Sequence, residues 1–311
     1  MNSFSTRSWL EQWFVPALLI ISVPLLFTEF SFGNTPAPRF LQEFYNLGHI
    51  PLFMLTGYWL WPRLHGTPHN HSKLLIWLAI CVAIAILIEL LQNLTSHRSA
   101  SWLDLRRDCL GLALLLITRP RPLVFRLCVQ KPFQIIVVTW LLLELIPASI
   151  LLLDYTQIIR QPNLLSDFES PGQASRWNSG QVINAGNASV LKVALTSEQY
   201  SGASLEHLPR NWSQANKLHL EVFNADQTQQ TLHFKIDDQQ AIEQGNSYSM
   251  RFNTTHSLQP GWNNINIPIQ RIHDGPEQRK MDLTQIFSVT LFHAHRPAPG
   301  YMLLDNLRLE K

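Results

Sequence analysis

Between Ile88 and Gly111 the chain reads IELLQNLTSHRSASWLDLRRDCLG, and within it Glu89, Gln92, Arg98, Ser99, Asp104 and Asp108 have the chemistry to hold a polar ligand. Arg98 suits a phosphate, because a guanidinium offers a planar fork of donors to two oxygens. The carboxylates would take hydroxyls or an amine beside it. Glu89 and Gln92 are three residues apart and share a helix face, while Asp104, Asp108 and Gly111 recur at i, i+4 and i+7 and form one stripe. His49, from an earlier apolar segment, is a general-base candidate that Glu89 or Asp104 could orient. His49, Glu89 and Asp104 could also supply three metal ligands. No H-E-x-x-H, no P-loop and no evidently activated Ser or Cys accompanies them, so no catalytic residue is assigned. The alternative is structural: Glu89, Arg98 and Asp104 as a partly buried ion-pair network between helices, with His49 as a hydrogen-bond partner. Charged groups at the edge of a bilayer face a partner, a cavity or a headgroup, and all of these readings meet that demand.

The elements that must position these residues are apolar helices. The 311 residues average to a mean hydropathy of +0.00, which hides two populations. Residues 1 to 163 hold long apolar runs with 12 Lys+Arg against 8 Asp+Glu; the remainder, rich in Asn, Gln, Ser and Asp, has 12 against 14. Neither part is basic enough to suggest nucleic acid. All three cysteines (Cys81, Cys109, Cys128) lie in the apolar part, so the C-terminal part must hold together by its core.

Five spans are expected, at residues 13–32, 45–61, 74–92, 103–118 and 133–153, within a helical membrane domain of residues 1–155. The first run lacks a convincing signal-peptide cleavage site and reads as a retained helix; the stretch from about Glu29 to Phe44, which contains Pro36 and Pro38, reads as a loop. His65, His69 and His71 sit in a Pro/Gly loop without a supporting carboxylate and read as solvated. Glu144 lies inside the fifth span, either paired with another helix or buried and protonated. The loop RPRPLVFRLCVQK carries Arg119, Arg121, Arg126 and Lys131 without an acid, which places it in the cytoplasm. That orientation puts the N-terminus inside and the C-terminal part outside. It brings His49, Glu89, Gln92, Asp104 and Asp108 to the outer face.

An apolar helix opening near a His, then E-x-x-Q, an Arg-Ser turn and D-x-x-x-N-x-x-G at the start of the next helix resembles the VanZ-like family of membrane proteins. The matching residues are His49, Glu89, Gln92, Arg98, Ser99, Asp104 and Gly111, within residues 10 to 120. Two positions depart from the pattern. Tyr45-Asn46-Leu47-Gly48 stands where the family has Asp-Lys, and Asp108 stands at the Asn. The resemblance implies a bacterial inner-membrane protein that handles an envelope lipid or lipid-linked glycan. The family is named for glycopeptide-antibiotic resistance, and its biochemical activity is not generally established.

Beyond a juxtamembrane linker at residues 156–163 the period changes to two. Leu218, Leu220 and Val222 alternate with polar neighbours, as do Leu232, Phe234 and Ile236, then Ile265, Ile267 and Ile269, then Phe287, Val289 and Leu291. Such strands, separated by Asn/Gly/Pro/Asp turns, argue an antiparallel sandwich over residues 164–311. The opening DFE, the G-W-N turn at Trp262 and the closing LLDNLRL resemble the galactose-binding-like jelly roll of carbohydrate-binding modules. That resemblance implies cell-wall carbohydrate as a partner. It also implies a structural Ca²⁺ held by Asp167 or Glu169 with Asp305 and backbone carbonyls, unless Asp305 merely caps a turn. Stacking on sugar needs exposed aromatics. The candidates are Trp177, Tyr200, Trp212, Tyr248 and Trp262, of which Trp212 and Trp262 read as packing residues.

Overall fold

The computed structural model describes residues 16–20, 31–32, 35–36, 38–64, 71–94, 101–118 and 130–311. The chain divides into two compact units, Met1–Ser149 and Ile150–Lys311. Most of the first expected span, the loop histidines His65 and His69, the basic loop around Arg121, and both Arg98 and Ser99 lie outside the described residues.

The first unit is helical. Its main helices are α1 (Arg39–Leu47), α2 (His49–Leu64), α3 (His71–Gln92), α4 (Trp102–Thr118) and α5 (Lys131–Arg160), the last of which runs on into the second unit. The expected second span at 45–61 is thus two helices that break at Gly48. Residues 39–44, which read as loop because of Pro36 and Pro38, belong to α1, with Pro38 as its N-cap. Helix α5 continues through residues 156–160, so most of the expected linker is helical. One core joins α2, α3 and α4 through Leu52, Phe53, Trp77, Cys81, Leu112 and Leu115. Trp77 lies fully buried and donates its indole N–H to the Gly57 carbonyl at 3.1 Å, so its one polar atom is satisfied.

Among the described residues two helices, over Lys73–Gln92 and Lys131–Arg160, are long and apolar enough to cross a membrane. The core helix of a soluble protein buries most of its apolar side chains. Here only 22% and 17% of the most apolar stretches are buried. Leu75, Leu87 and Leu90 on α3 and Ile135, Ile136 and Leu142 on α5 all stand exposed. Helices α2 and α4, of 16 and 17 residues, are about 25 Å long, at the lower limit for a crossing.

The second unit is the antiparallel sandwich that the period of two calls for. Its strands are β1 (Leu164–Ser166), β2 (Gln181–Ala185), β3 (Ala188–Leu195), β4 (Tyr200–Leu205), β5 (Lys217–Asn224), β6 (Gln230–Asp238), β7 (Phe252–Leu258), β8 (Gly261–Pro268), β9 (Ile286–Ala294) and β10 (Gly300–Glu310). One sheet runs β8-β5-β10-β3-β2, with β1 pairing the end of β10; the other runs β4-β9-β6-β7. The alternating apolar residues fill the space between them, with Leu191, Leu205, Trp212, Leu220, Phe234, Leu291 and Leu304 all nearly or wholly inaccessible. That core draws on residues from Leu165 to Leu309, all within the sandwich.

Candidate functional site

The polar residues of the helical unit separate into two clusters. In the first, His49 opens α2, Glu89 and Gln92 sit in the last turn of α3, and Asp108 lies early in α4. Their exposures are 0%, 6%, 0% and 0%. His49 Nδ1 and Asp108 Oδ1 are 2.8 Å apart. Glu89 Oε2 accepts the backbone N–H of Ser101 at 2.7 Å, just before α4 begins. One ligand atom from each of His49, Glu89 and Asp108 lies within 4.8 Å of the others, and all three residues are buried.

What brings α2 and α4 this close is Gly111, three residues beyond Asp108. A Cβ there would lie 2.2 Å from the Ile50 carbonyl oxygen and 3.1 Å from the Met54 nitrogen. The expectation that Gly111 permits close helix approach is what its surroundings show.

The second cluster is built on Arg107. Its guanidinium meets Asp104 at 3.0 Å, Glu144 at 3.4 Å and, in a short contact, Glu43. Arg106 adds a second contact to Glu144 at 2.6 Å, and Trp140 donates its indole N–H to the same carboxylate at 3.2 Å. Arg107, Asp104 and Glu144 are buried, so two guanidiniums are set against three carboxylates. The network expected of Glu89, Arg98 and Asp104 is a different one: Glu89 lies in the first cluster, Arg98 lies outside the described residues, and Asp104 pairs with Arg107. Arg107 holds the centre of the observed cluster, Glu144 finds its partners on another helix, and Asp104, expected with His49 and Glu89 as a metal ligand, pairs with Arg107. The carboxylate that joins His49 and Glu89 is Asp108, which stands where the VanZ-like pattern has Asn. Sequence reading missed Glu43 because residues 39–44 looked like loop. The recurrence of Phe40, Phe44 and Leu47 at i, i+4 and i+7 is the signal that marks the helix.

In the sandwich, Asp167, Glu169 and Asp305 share an acidic neighbourhood with Glu221. Burial, and then the charges of Glu221, Asp167 and Glu169, push the Asp305 carboxyl up to about 6, against the N–H of Asn306, which donates to it. Asp167 Oδ1 accepts from Gln173 Nε2 at 2.8 Å, while Glu169 accepts from the Ser189 backbone N–H at 2.7 Å. Among the described residues, the three side chains are not a set whose ligand atoms converge as those of His49, Glu89 and Asp108 do. A cation there would need backbone carbonyls as well.

The aromatic candidates also separate. Trp177 and Trp212 belong to the core, each with its indole N–H bonded, to Ser166 and to the Pro209 carbonyl. Tyr200 and Tyr248 are exposed at 59% and 66%. Trp262 was expected to pack inside, yet it is 48% exposed. The reason is strand parity: Ile265 and Ile267 face the core, so Trp262, Asn264 and Asn266 face outward. Trp262 lies opposite Phe223, edge to face at a centroid distance of 5.4 Å. Leu303 continues the row on β10, and Lys192 stands 4.6 Å over the ring of Tyr301. The outer face of the six-stranded sheet therefore carries exposed aromatic rings bordered by amides and charges.

No family model matches the chain, and no curated protein matches it. Among solved structures it is similar to a family 11 carbohydrate-binding module from Clostridium thermocellum, in complex with a β-1,3-1,4-mixed-linked tetrasaccharide. That match has 18% identity over 48% of this chain and 94% of the module, with a TM-score of 0.37. An exo-β-agarase is similar at 16% identity over 48% of this chain and 24% of its own, TM-score 0.38. A non-crystalline-cellulose-specific module of family 28 follows at 10% over 48% and 93%, TM-score 0.33. Likenesses of this strength say nothing of ligand or site.

Proposed function

We propose that the protein is a VanZ-like integral membrane protein of the bacterial inner membrane whose β-sandwich faces the periplasm and binds carbohydrate of the cell envelope. In this reading five helices cross the bilayer, and the polar end of α2, α3 and α4 lies at the outer face, where it handles a lipid or lipid-linked glycan headgroup. The observation that carries the carbohydrate reading is Trp262, half exposed in a row with Phe223 and flanked by Asn264 and Asn266 on the sheet's outer face. An aromatic ring presents an apolar face to a pyranose while neighbouring amides bond its hydroxyls. The membrane reading rests on the exposed apolar flanks of α3 and α5. A structural Ca²⁺ beside Asp305 belongs to the same proposal.

The second unit holds its own core and keeps Asp154 against buried Arg176, so residues 150–311 serve for the test. Titration calorimetry against peptidoglycan fragments and soluble β-glucans should show binding to at least one. Trp262→Ala should weaken that binding by about tenfold or more, the worth of one lost stacking contact of roughly 1.5 kcal/mol, with the melting temperature unchanged. Absence of binding to every glycan, or equal affinity in Trp262→Ala, rejects this surface.

The second reading, an intramembrane enzyme acting on a lipid-linked substrate, is favoured by one observation, the buried His49–Asp108 pair beside Glu89. A carboxylate that holds an imidazole by one nitrogen leaves the other free to act as a base.

A further inference from the structure

We infer that His49, Glu89 and Asp108 bind a first-row divalent cation of the Zn²⁺ or Mn²⁺ class. The inference rests on the helical unit alone and requires nothing of the carbohydrate reading. Three helices each deliver one ligand-bearing side chain to a single buried point, and the ligand atoms lie within 4.8 Å of one another. Tetrahedral bonds of about 2.0–2.1 Å put neighbouring donors roughly 3.4 Å apart, so side-chain rotations of about 1 Å close the set.

A second observation falls on two of the same residues. His49 Nε2 and Asp108 Oδ2 are buried without a hydrogen-bond partner, on residues that are each 0% exposed. A buried polar atom left unsatisfied costs about 1–3 kcal/mol, and a metal ion is one group that relieves such an atom on a histidine or a carboxylate. The surroundings are ordered as a metal site's usually are. Glu89 is oriented by the Ser101 N–H, which donates to Oε2. Gly111 holds the two helices at the required separation. One imidazole nitrogen with carboxylate oxygens, and no thiolate, selects for Zn²⁺ or Mn²⁺ over Cu⁺ and over the all-oxygen preference of Ca²⁺. The neighbouring cluster makes the contrast. There every carboxylate already faces a guanidinium, so Glu144 supplies a control substitution.

The test uses the full chain, purified in detergent without a histidine tag, stripped with chelator and reloaded separately with Zn²⁺ and Mn²⁺. After desalting, elemental analysis should find about one equivalent of one of these ions. X-ray absorption should show a shell of nitrogen and oxygen only, with imidazole scattering. Glu89→Gln and Asp108→Asn should each weaken retention by at least about tenfold, and Glu144→Gln should leave it unchanged. The site is rejected if the wild type retains neither ion, if sulfur enters the shell, or if Glu89→Gln and Asp108→Asn retain the ion as the wild type does. Should the variants fail to fold, the absorption spectrum of the wild type decides by itself. Glycan binding by the sandwich is read separately, so either result can fail alone.

Discussion

At the scale of single residues, environment decides what each ionisable group does. Asp104 and Asp108 have the same chemistry and lie one turn apart, yet one answers Arg107 and the other His49. In the sandwich, Asp305 and His293 show environment acting in opposite directions. Burial, with the charge of Arg296 behind it, holds the His293 imidazole down at about 4. Its folded value lies below the ordinary 6.5, so the stability it contributes is complete above pH 6.5 and lost as pH falls toward 4. Asp305 is raised to about 6, so its ionisation weakens the fold above that pH, and the penalty is relieved as pH falls toward the ordinary carboxylate value. Each difference corresponds to about 3 kcal/mol at most, and over the shared range the two oppose. Asp305→Asn in residues 150–311, with chelator present, should therefore be more stable than the wild type at pH 7.5. The advantage should shrink to nothing below about pH 4 while His293 still makes both proteins acid-labile. Denaturant melts across pH 4 to 8 would show this; a constant difference between the two curves would refute it.

At the scale of elements, the site depends on how deeply α2 sits against α4. Gly111→Ala places a methyl group on the Ile50 carbonyl oxygen, a backbone atom that cannot turn aside. The helices must part, at a cost of about 1–3 kcal/mol for overpacking. The variant should melt earlier in detergent, and its His49–Asp108 contact should lengthen. Loss of the proposed ion together with that lower melting point, measured on the same preparation, is the expected outcome; unchanged melting would show that the close approach is dispensable. Helix α1 shows how an element escapes notice. Its nine residues follow two prolines, so turn signals outweighed a short apolar recurrence, and Glu43 went with it.

At the scale of the whole molecule, two compact units with different surfaces share one chain. The helical unit leaves Leu and Ile side chains of α3 and α5 uncovered, whereas the sandwich turns its aliphatic strand residues inward. With the proposed orientation, protease added to intact spheroplasts should remove a tag placed after Lys311. A protected tag would invert the topology and place the sandwich in the cytoplasm.

Periodicity is local, so the sequence by itself determined a helical part followed by an antiparallel sandwich. It placed helices near 74–92, 103–118 and 133–153, gave the shared face of Glu89 and Gln92, and gave the stripe from Asp104 through Asp108 to Gly111. Parity along β8 was legible too, since Ile265 and Ile267 already oblige Trp262 to point the other way, although its G-W-N turn suggested packing. Which carboxylate reaches His49 was not legible. Asp104 and Asp108 differ by only about 40° around the helix but by roughly 6 Å along it, and no pattern within one helix fixes its axial offset against another. The tertiary structure set that offset through the contact of Gly111 with Ile50, and with it separated a closed ion-pair network from a buried set of ligands.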